Sequence, residues 1–213
     1  MKRRLLSQWA AMLVVVAGVL GMSGAYAADE AADALVKRLS ADVLAAIKAD
    51  AAIQAGDTAR IVNLVDTRVM PYVNFQRMTA SAVGPGWRQA TPEQKQRLQE
   101  EFKILLVHSY AGALGQVGDQ TITVKPLRAG ADDTDVLVRT EIRGHGDPIQ
   151  LDYRLEKTPG QGAGWKIYNF NVMGVWLVQN YLSQFSQEIN AKGVDGLIAK
   201  LVALNKSNNA KKS

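Results

Sequence analysis

Few side chains in this sequence have the types and spacing that catalysis or metal binding requires. The two histidines, His108 and His145, have no neighbour at the spacing typical of metal ligands. The chain contains no cysteine, which excludes disulfides, thiolate metal sites and thiol redox chemistry. It also contains no G-x-S-x-G turn, P-loop or dinucleotide fingerprint. We therefore predict no metal site, and an enzyme would have to use carboxylates and tyrosines.

Asp152 and Tyr153 are the best candidates for such chemistry. Some enzymes in which helices pack on one curved antiparallel sheet place an aspartate and a tyrosine in the mouth of the resulting cone. The alternation around the pair argues against this role, because it places Tyr153 with Leu151 and Leu155 on the interior face. The same alternation points Asp152 toward solvent. An enzyme of this kind remains an alternative.

Apolar residues at helical spacing, together with capping and breaking signals, predict the helices. Thr91, Pro92 and Gln94 form a strong start signal, because threonine caps, proline suits the first turn and glutamine completes a capping box. Proline disfavours the α conformation in the residue before it, so the second helix should end before Pro71. The predicted helices run over 29–50, from 58 to before 71, from 74 to 84, from 91 to about 114, from 176 to 193, and from a cap at Asp195.

Four runs with a period of two predict strands at 121–127, 135–143, 149–157 and 165–173. Since no helix separates them, they should form an antiparallel meander. In the fourth run, alternation places Tyr168, Phe170 and Val172 on one face, with Trp165 and Ile167 on the other. The sequence therefore predicts an α+β fold with one domain over 28–205, followed by a flexible polar tail over 206–213.

The N-terminal residues 1–27 have the order of a cleavable signal peptide: a basic start, an apolar run and an A-x-A site at 25–27. The apolar run is shorter than the roughly 20 residues that cross a bilayer. Cleavage removes Lys2, Arg3 and Arg4 and no acid, so the formal charge falls from +5 to +2. We expect an exported chain without a lipid anchor, monomeric, and with no nucleic-acid partner.

Large apolar and aromatic side chains from helices and strands point to the same interior. A domain of this size needs a core, which is the simplest interpretation. A buried tyrosine must find a partner for its hydroxyl, so several tyrosines on one interior face favour a cavity that meets polar atoms at its rim. Both interpretations stay open for Val69, Met70, Tyr72, Phe75, Phe102, Tyr110, Tyr153, Tyr168, Phe170 and Trp176.

An ordered set of short motifs spans nearly all of the chain beyond the signal segment. These motifs are Leu64-Val65 leading to Pro71-Tyr72-Val73, Ala90 to Gln94, Trp165 to Tyr168 leading to Gly174-Val175, and Phe185 followed by Gly193 to Leu197. The set resembles the MlaC family of periplasmic lipid-binding proteins, also called the toluene-tolerance auxiliary family. One departure is Met173, where many members carry an acidic residue.

The resemblance implies an NTF2-like cone, with helices on a curved four-stranded sheet and an enlarged apolar pocket for the acyl chains of a glycerophospholipid. It also implies a non-enzymatic carrier without a cofactor, whose cargo is the lipid. Such a carrier shuttles phospholipid between an outer-membrane lipoprotein complex and an inner-membrane ABC transporter with its periplasmic substrate-binding subunit. This traffic maintains the lipid asymmetry of the outer membrane.

Under this interpretation the ten residues above line the pocket together with Leu105, Leu106, Val138, Ile142, Leu151, Val172 and Val175. Arg88 and Lys95 flank the start of the long helix, and we expect them to contact acidic partner surface. A ligand-free structural protein with a filled core is the remaining alternative.

Overall fold

A computed structural model of the chain describes residues 30–114, 117–130, 132–144 and 147–210. The predicted signal peptide and His145 lie outside these ranges. The helices are α1 Ala32–Ala49, α2 Ala51–Gln54, α3 Thr58–Leu64, α4 Phe75–Val83, α5 Gly86–Gln89, α6 Pro92–Leu114 and α7 Leu177–Ala210. The strands are β1 Thr121–Val124, β2 Asp135–Arg143, β3 Ile149–Lys157, β4 Trp165–Val172 and β5 Val175–Trp176. None of the helices in these ranges is long and apolar enough to cross a membrane.

Local hydrogen bonds fix the starts of α4 and α6. The side chain of Asn74 accepts a hydrogen bond from the backbone N–H of Arg77 at 2.9 Å and caps α4. At α6, the Thr91 N–H donates to Gln94 Oε1 at 2.9 Å, and the Gln94 N–H donates to Thr91 Oγ1 at 3.2 Å. The predicted capping box is thus confirmed.

The segment that leads to Pro71 differs from the prediction. After α3 the chain forms a π-helical turn, Val65–Val69, and then a 3-10 turn, Met70–Tyr72, that contains Pro71. Helix α3 ends before Pro71, as predicted, but Met70 keeps helical angles, φ −56° and ψ −33°, because the first positions of a helical turn do not need the N–H that proline lacks. The chain leaves helical geometry at Val73, whose backbone is extended.

Helix α7 begins at Leu177, one residue later than predicted, because Trp176 belongs to β5. Gly193 interrupts α7 with non-helical angles, φ 69° and ψ −173°, at the predicted stop. The helix continues to Ala210, five residues past the predicted domain boundary at Asn205. Asn205 is buried, and its amide donates to the Glu101 carboxylate on α6 at 2.6 Å.

The sheet has five antiparallel strands in the order β1-β2-β3-β4-β5, so the expected number of four was wrong. The additional strand is the two-residue β5, which pairs with the end of β4. The turn between them contains Met173 with φ 52° and Gly174 with φ 86°. Asn171 Oδ1 accepts a hydrogen bond from the Gly174 N–H at 2.8 Å and closes this turn.

The main core lies between one face of the sheet and helices α1, α4, α6 and α7. Phe102 of α6 is fully buried at its centre. A second apolar cluster joins the end of α6 to α1, α2 and α3 through Ile47, Ile53, Ile61, Leu64, Val107 and Ala111. Burial of these side chains holds the helices, since the described residues include no cysteine.

Candidate ligand-binding site

The register of β2 and β3 defines the interior face of the sheet. Val138 pairs with Tyr153, and Val136 pairs with Leu155. Cross-strand partners lie on the same face, so these four side chains point to the helices. Further along, Ile142 pairs with Ile149, which extends this apolar face to the far end of the sheet.

A bulge in β4 changes the face of Tyr168. Arg154 pairs with Asn169, whereas the next residue of β3, Leu155, pairs with Ile167, so Tyr168 is an additional residue in β4. Ile167 therefore joins Phe170 on the interior face. The predicted placement of Tyr168 in the interior was wrong: its side chain is buried, but it lies outside the main core cluster.

The predicted placement of Trp176 in the interior was also wrong. This residue pairs with Asn171, whose partner on β3 is Asp152, and these residues share the polar face of the sheet. The guanidinium of Arg154 lies 5.3 Å from the centre of the Trp176 ring. Trp176 thus contacts a cation on the polar face instead of the apolar core.

A charged cluster on the polar face holds α4 against three strands. Arg77 of α4 forms an ion pair with Glu156 of β3, and its guanidinium lies 3.6 Å from the centre of the Tyr168 ring. Tyr168 donates a hydrogen bond to Asp135 of β2 at 2.5 Å. Burial raises the pKa of the Tyr168 phenol above its ordinary value, and the Asp135 carboxylate raises it further. We call Arg77, Asp135, Glu156 and Tyr168 the outer cluster.

The deep part of the interior is closely packed. The Phe102 ring lies 5.8 Å from Phe75, 4.9 Å from Tyr181 and 5.2 Å from Phe185, between ring centres. Tyr181 was not predicted as an interior residue, although its spacing of four residues before Phe185 places both on one face of a helix. The buried members of the predicted set at this depth are Phe75, Phe102, Leu105, Val138 and Tyr153.

Other predicted lining residues reach partly into solvent. Those packed against the main core are Val69, Met70, Tyr72, Leu106, Leu151 and Phe170. Those outside the core cluster are Tyr110, Ile142, Val172 and Val175. Tyr72 is covered by Arg38 of α1, whose guanidinium lies 5.2 Å from the centre of its ring.

An exposed apolar rim lies at one end of the interior face. Ile149 is 40% exposed, Met173 is 70% exposed and Val175 is 50% exposed. Val175 pairs with Val172, and the Met173 N–H donates to the carbonyl of Gln150 at 2.9 Å, so these residues are neighbours. We call Ile149, Met173 and Val175 the apolar rim. The interior face therefore continues into exposed apolar side chains at this end.

Asp152 and Tyr153 lie on opposite faces, as predicted, but Asp152 is not exposed. Its side chain is buried and accepts hydrogen bonds from the Thr140 N–H and the Gln150 amide. Burial raises the pKa of the Tyr153 phenol, whereas hydrogen bonds with Ser40 and Thr140 lower it. The two side chains cannot act together on one substrate, because the sheet separates them. Across the described ranges, no cluster of three or more His, Asp or Glu side chains could hold a metal.

Arg88 and Lys95 lie beside an open surface cavity with a volume of about 440 Å³. The cavity is lined by Arg77, Ala80, Ser81, Gly84, Pro85, Trp87 and Arg88. The Lys95 ammonium lies 5.7 Å from the centre of the Trp87 ring. A second cavity, of about 330 Å³, lies between the segment 73–76 and the β3–β4 loop.

Comparison with known proteins supports one family. The family model described as MlaC protein matches residues 37–203. The chain is 23% identical over 198 residues to the intermembrane phospholipid transport system binding protein MlaC of Haemophilus influenzae, covering 92% of each chain. It is 35% identical over 109 residues to toluene tolerance protein ttg2D of Pseudomonas putida, covering 51% of this chain and 49% of that protein.

A solved structure is also similar. It is the phospholipid-binding protein from Ralstonia solanacearum in complex with a phospholipid, with a TM-score of 0.80 and 45% sequence identity. The match covers 84% of this chain and 98% of that chain. The family model spans most of the sequence, and the solved structure has the same fold. This chain therefore belongs to the MlaC protein family.

Proposed function

We propose that this protein is a periplasmic carrier that binds a glycerophospholipid by its acyl chains. It shuttles the lipid between an outer-membrane lipoprotein complex and an inner-membrane ABC transporter with its periplasmic substrate-binding subunit, and so maintains outer-membrane lipid asymmetry. The observation that carries this proposal is the continuity between the interior apolar face and the apolar rim. The phospholipid complex of the similar Ralstonia protein supports the same cargo.

The apolar rim indicates where the acyl chains cross the protein surface. Exposed apolar side chains are common when they are scattered, but a contiguous group suggests a binding site. Here the group adjoins Leu151 and Val172, which are only partly buried and paired across β3 and β4. Chains that enter at this end meet apolar side chains at each step toward the interior of an NTF2-like cone.

The energetics of lipid transfer require such protection. Two acyl chains with some 30 methylenes cost about 24 kcal/mol to expose to water, at about 0.8 kcal/mol per methylene. Phe102 and Val138 are fully buried, so the interior must widen before it holds these chains. We infer that the partly buried side chains packed against the main core, including Leu106 and Phe170, move first, because they have fewer packing contacts to lose.

The alternatives have less support. An enzyme of the cone-shaped class would need Asp152 and Tyr153 on one side of the sheet, whereas they lie on opposite sides. A structural protein with a filled core is consistent with the packing around Phe102, but it gives no role to the apolar rim. We therefore propose a non-enzymatic carrier that works as a monomer, needs no cofactor and has lipid as its cargo.

Purified exported protein tests the proposal directly. We expect its native mass to include one phospholipid, which organic extraction releases. Protein that is folded but free of lipid in repeated preparations would refute the carrier and favour the structural protein.

Replacing Leu106 with tryptophan should reduce the lipid content at least tenfold while the thermal unfolding transition stays cooperative, because the larger ring fills space at the partly buried edge of the main core. Val62→Trp is the matched control, since Val62 is partly buried against the second cluster and far from the sheet. Equal lipid contents in the two variants would contradict the assignment of Leu106 to the pocket. Val138 is a poorer test position, because it is fully buried and tryptophan there would overpack the core.

A further inference from the structure

The cavity beside Arg88 has an unusual combination of apolar and cationic lining. Its lining residues include two arginines and Trp87 but no carboxylate. The two arginines differ in their ionic partners. Arg77 belongs to the outer cluster, where Glu156 and Asp135 neutralise its charge. Arg88 is exposed, and among the described residues its guanidinium makes no ion pair or hydrogen bond, although its backbone N–H donates to the Pro85 carbonyl at 3.2 Å. This surface therefore has positive charge beside an apolar floor.

Lys95 adds a second positive charge to the same surface. Its ammonium lies 5.7 Å from the centre of the Trp87 ring, and within the described parts of the chain it forms no salt bridge. Trp87 is half-buried against the main core, so its position is fixed by packing. Two cations without ionic partners thus flank one anchored indole ring.

The floor of the cavity is rigid. Gly84 has φ +65°, and a Cβ atom there would lie 2.8 Å from Leu182 Cδ1 on α7. A Cβ atom on Gly86 would lie 2.9 Å from Ile189 Cδ1, also on α7. Glycine at both positions lets the turn between α4 and α5 press directly onto α7. A preformed site of this kind loses little conformational entropy when it binds.

We propose that this cavity is a docking site for a protein segment that carries carboxylates on either side of a large apolar side chain. The apolar side chain contacts Trp87 and Pro85, and the carboxylates pair with Arg88 and Lys95. We choose this occupant for its charge complementarity, because its carboxylates form ion pairs with both cations and its apolar side chain covers the indole ring of Trp87. The proposal rests on the proposed function, since a carrier must dock on its partners, and it names the chemistry that a partner presents.

A membrane surface fits the cavity less well. Proteins that bind bilayers combine several basic residues with exposed apolar side chains that enter the lipid. None of the exposed large apolar residues of the described chain lines this cavity; three of them form the apolar rim. An open surface cavity with two cations that lack ionic partners among the described residues, and without exposed large apolar side chains, is better matched by a peptide than by a bilayer.

The test selects, from a displayed library of random 12-residue peptides, those that bind the exported chain. Peptides that also bind the Arg88→Gln/Lys95→Gln variant are removed by counter-selection. Selected peptides should combine at least two acidic residues with a neighbouring aromatic residue or leucine. In fluorescence anisotropy, Arg88→Gln/Lys95→Gln should weaken their binding at least tenfold. Lys37→Gln/Arg68→Gln is the matched control and should change it less than twofold, because both residues are exposed cations away from the cavity.

Ser81→Trp separates the cavity from its charges, since it fills the space and leaves both cations in place. It should also weaken peptide binding at least tenfold. Equal affinity of the charge variant and its control, or a library that enriches no acidic sequences, overturns the proposal. Binding of phosphatidylglycerol vesicles that depends on Arg88 and Lys95, without any selected peptide, would assign the site to membranes instead. Lipid content measured on the same proteins distinguishes these failures from a failure of the carrier function.

Discussion

Polar substitution of the apolar rim should accelerate the release of bound phospholipid. The variant combines Ile149→Thr, Met173→Asn and Val175→Thr. Threonine keeps the β-branched shape that strands favour. Asparagine tolerates the left-handed conformation of Met173, which costs most other residues about 1 kcal/mol. The fold should therefore be as stable as before, while the rim loses most of its apolar surface.

The expected magnitude follows from the exposed fractions of these side chains. Full burial of a Val, Ile or Met side chain contributes about 1.5–3 kcal/mol. Ile149, Met173 and Val175 are 40%, 70% and 50% exposed, so covering them completely with acyl chains would contribute at most about 2.5–5 kcal/mol. Since about 1.4 kcal/mol corresponds to a factor of ten, we expect at least a tenfold faster dissociation even if the cover is partial.

The assay loads the protein with a phospholipid that has a fluorescent acyl chain and follows its transfer to acceptor vesicles. Leu204→Gln is the matched control, because Leu204 is 40% exposed but lies on α7, away from the rim. Thermal unfolding of the loaded and unloaded proteins checks that the fold persists. Transfer rates of the rim variant within twofold of the control would refute the idea that the chains cross the surface at the rim.

Three further predictions concern stability. Phe102→Ala should lower the free energy of unfolding by about 3–5 kcal/mol in urea titrations, because it leaves a cavity among three aromatic rings; a loss below about 1 kcal/mol would contradict the close packing. Asn74→Ala should cost about 1–2 kcal/mol, because it removes the α4 cap and the hydrogen bond from the Asn74 amide to Glu156 at 2.6 Å, and Asn74→Ser, which keeps a capping oxygen, should recover only the share of the cap. Burial raises the pKa of Tyr153 above that of the unfolded chain, so its contribution to stability is complete below about pH 10 and disappears as the pH rises through the folded-state pKa. Tyr153→Phe should therefore be less stable than the wild type at pH 7 but lose less stability above pH 10, and parallel pH profiles would contradict this assignment.

The predictable parts of this fold depend on short-range chemistry. The capping box of α6 involves Thr91 and Gln94, which are three residues apart, so the sequence contains both partners. Gly193 marks the break in α7 for a similar reason, because its backbone adopts φ 69°, a value that other residues avoid. The order of the long strands also followed from the absence of helices between them.

The parts that could not be predicted depend on long-range contacts. Alternation assumes an unbroken register, and the bulge that reverses Tyr168 depends on how β4 pairs with β3. The burial of Asp152 depends on the polar side chains around it, which periodicity does not report. Strand β5 has only two residues, which are too few to show the alternation of apolar and polar residues that predicts a strand. Two residues of the apolar rim, Ile149 and Met173, were not predicted, because they become neighbours only once β3 and β4 are paired.

Because of the outer cluster, the attachment of α4 to the sheet and the shape of the interior depend on different residues, so natural selection can change them independently. Arg77 and its partners attach α4 to β2, β3 and β4 on the polar face of the sheet, away from the interior that we propose for the cargo. Substitutions of interior side chains on the sheet do not remove these attachments, because none of the four residues of the outer cluster belongs to the main core. Related sequences can therefore diverge in the length or shape of the molecules they accept while they keep the same arrangement of helix and sheet.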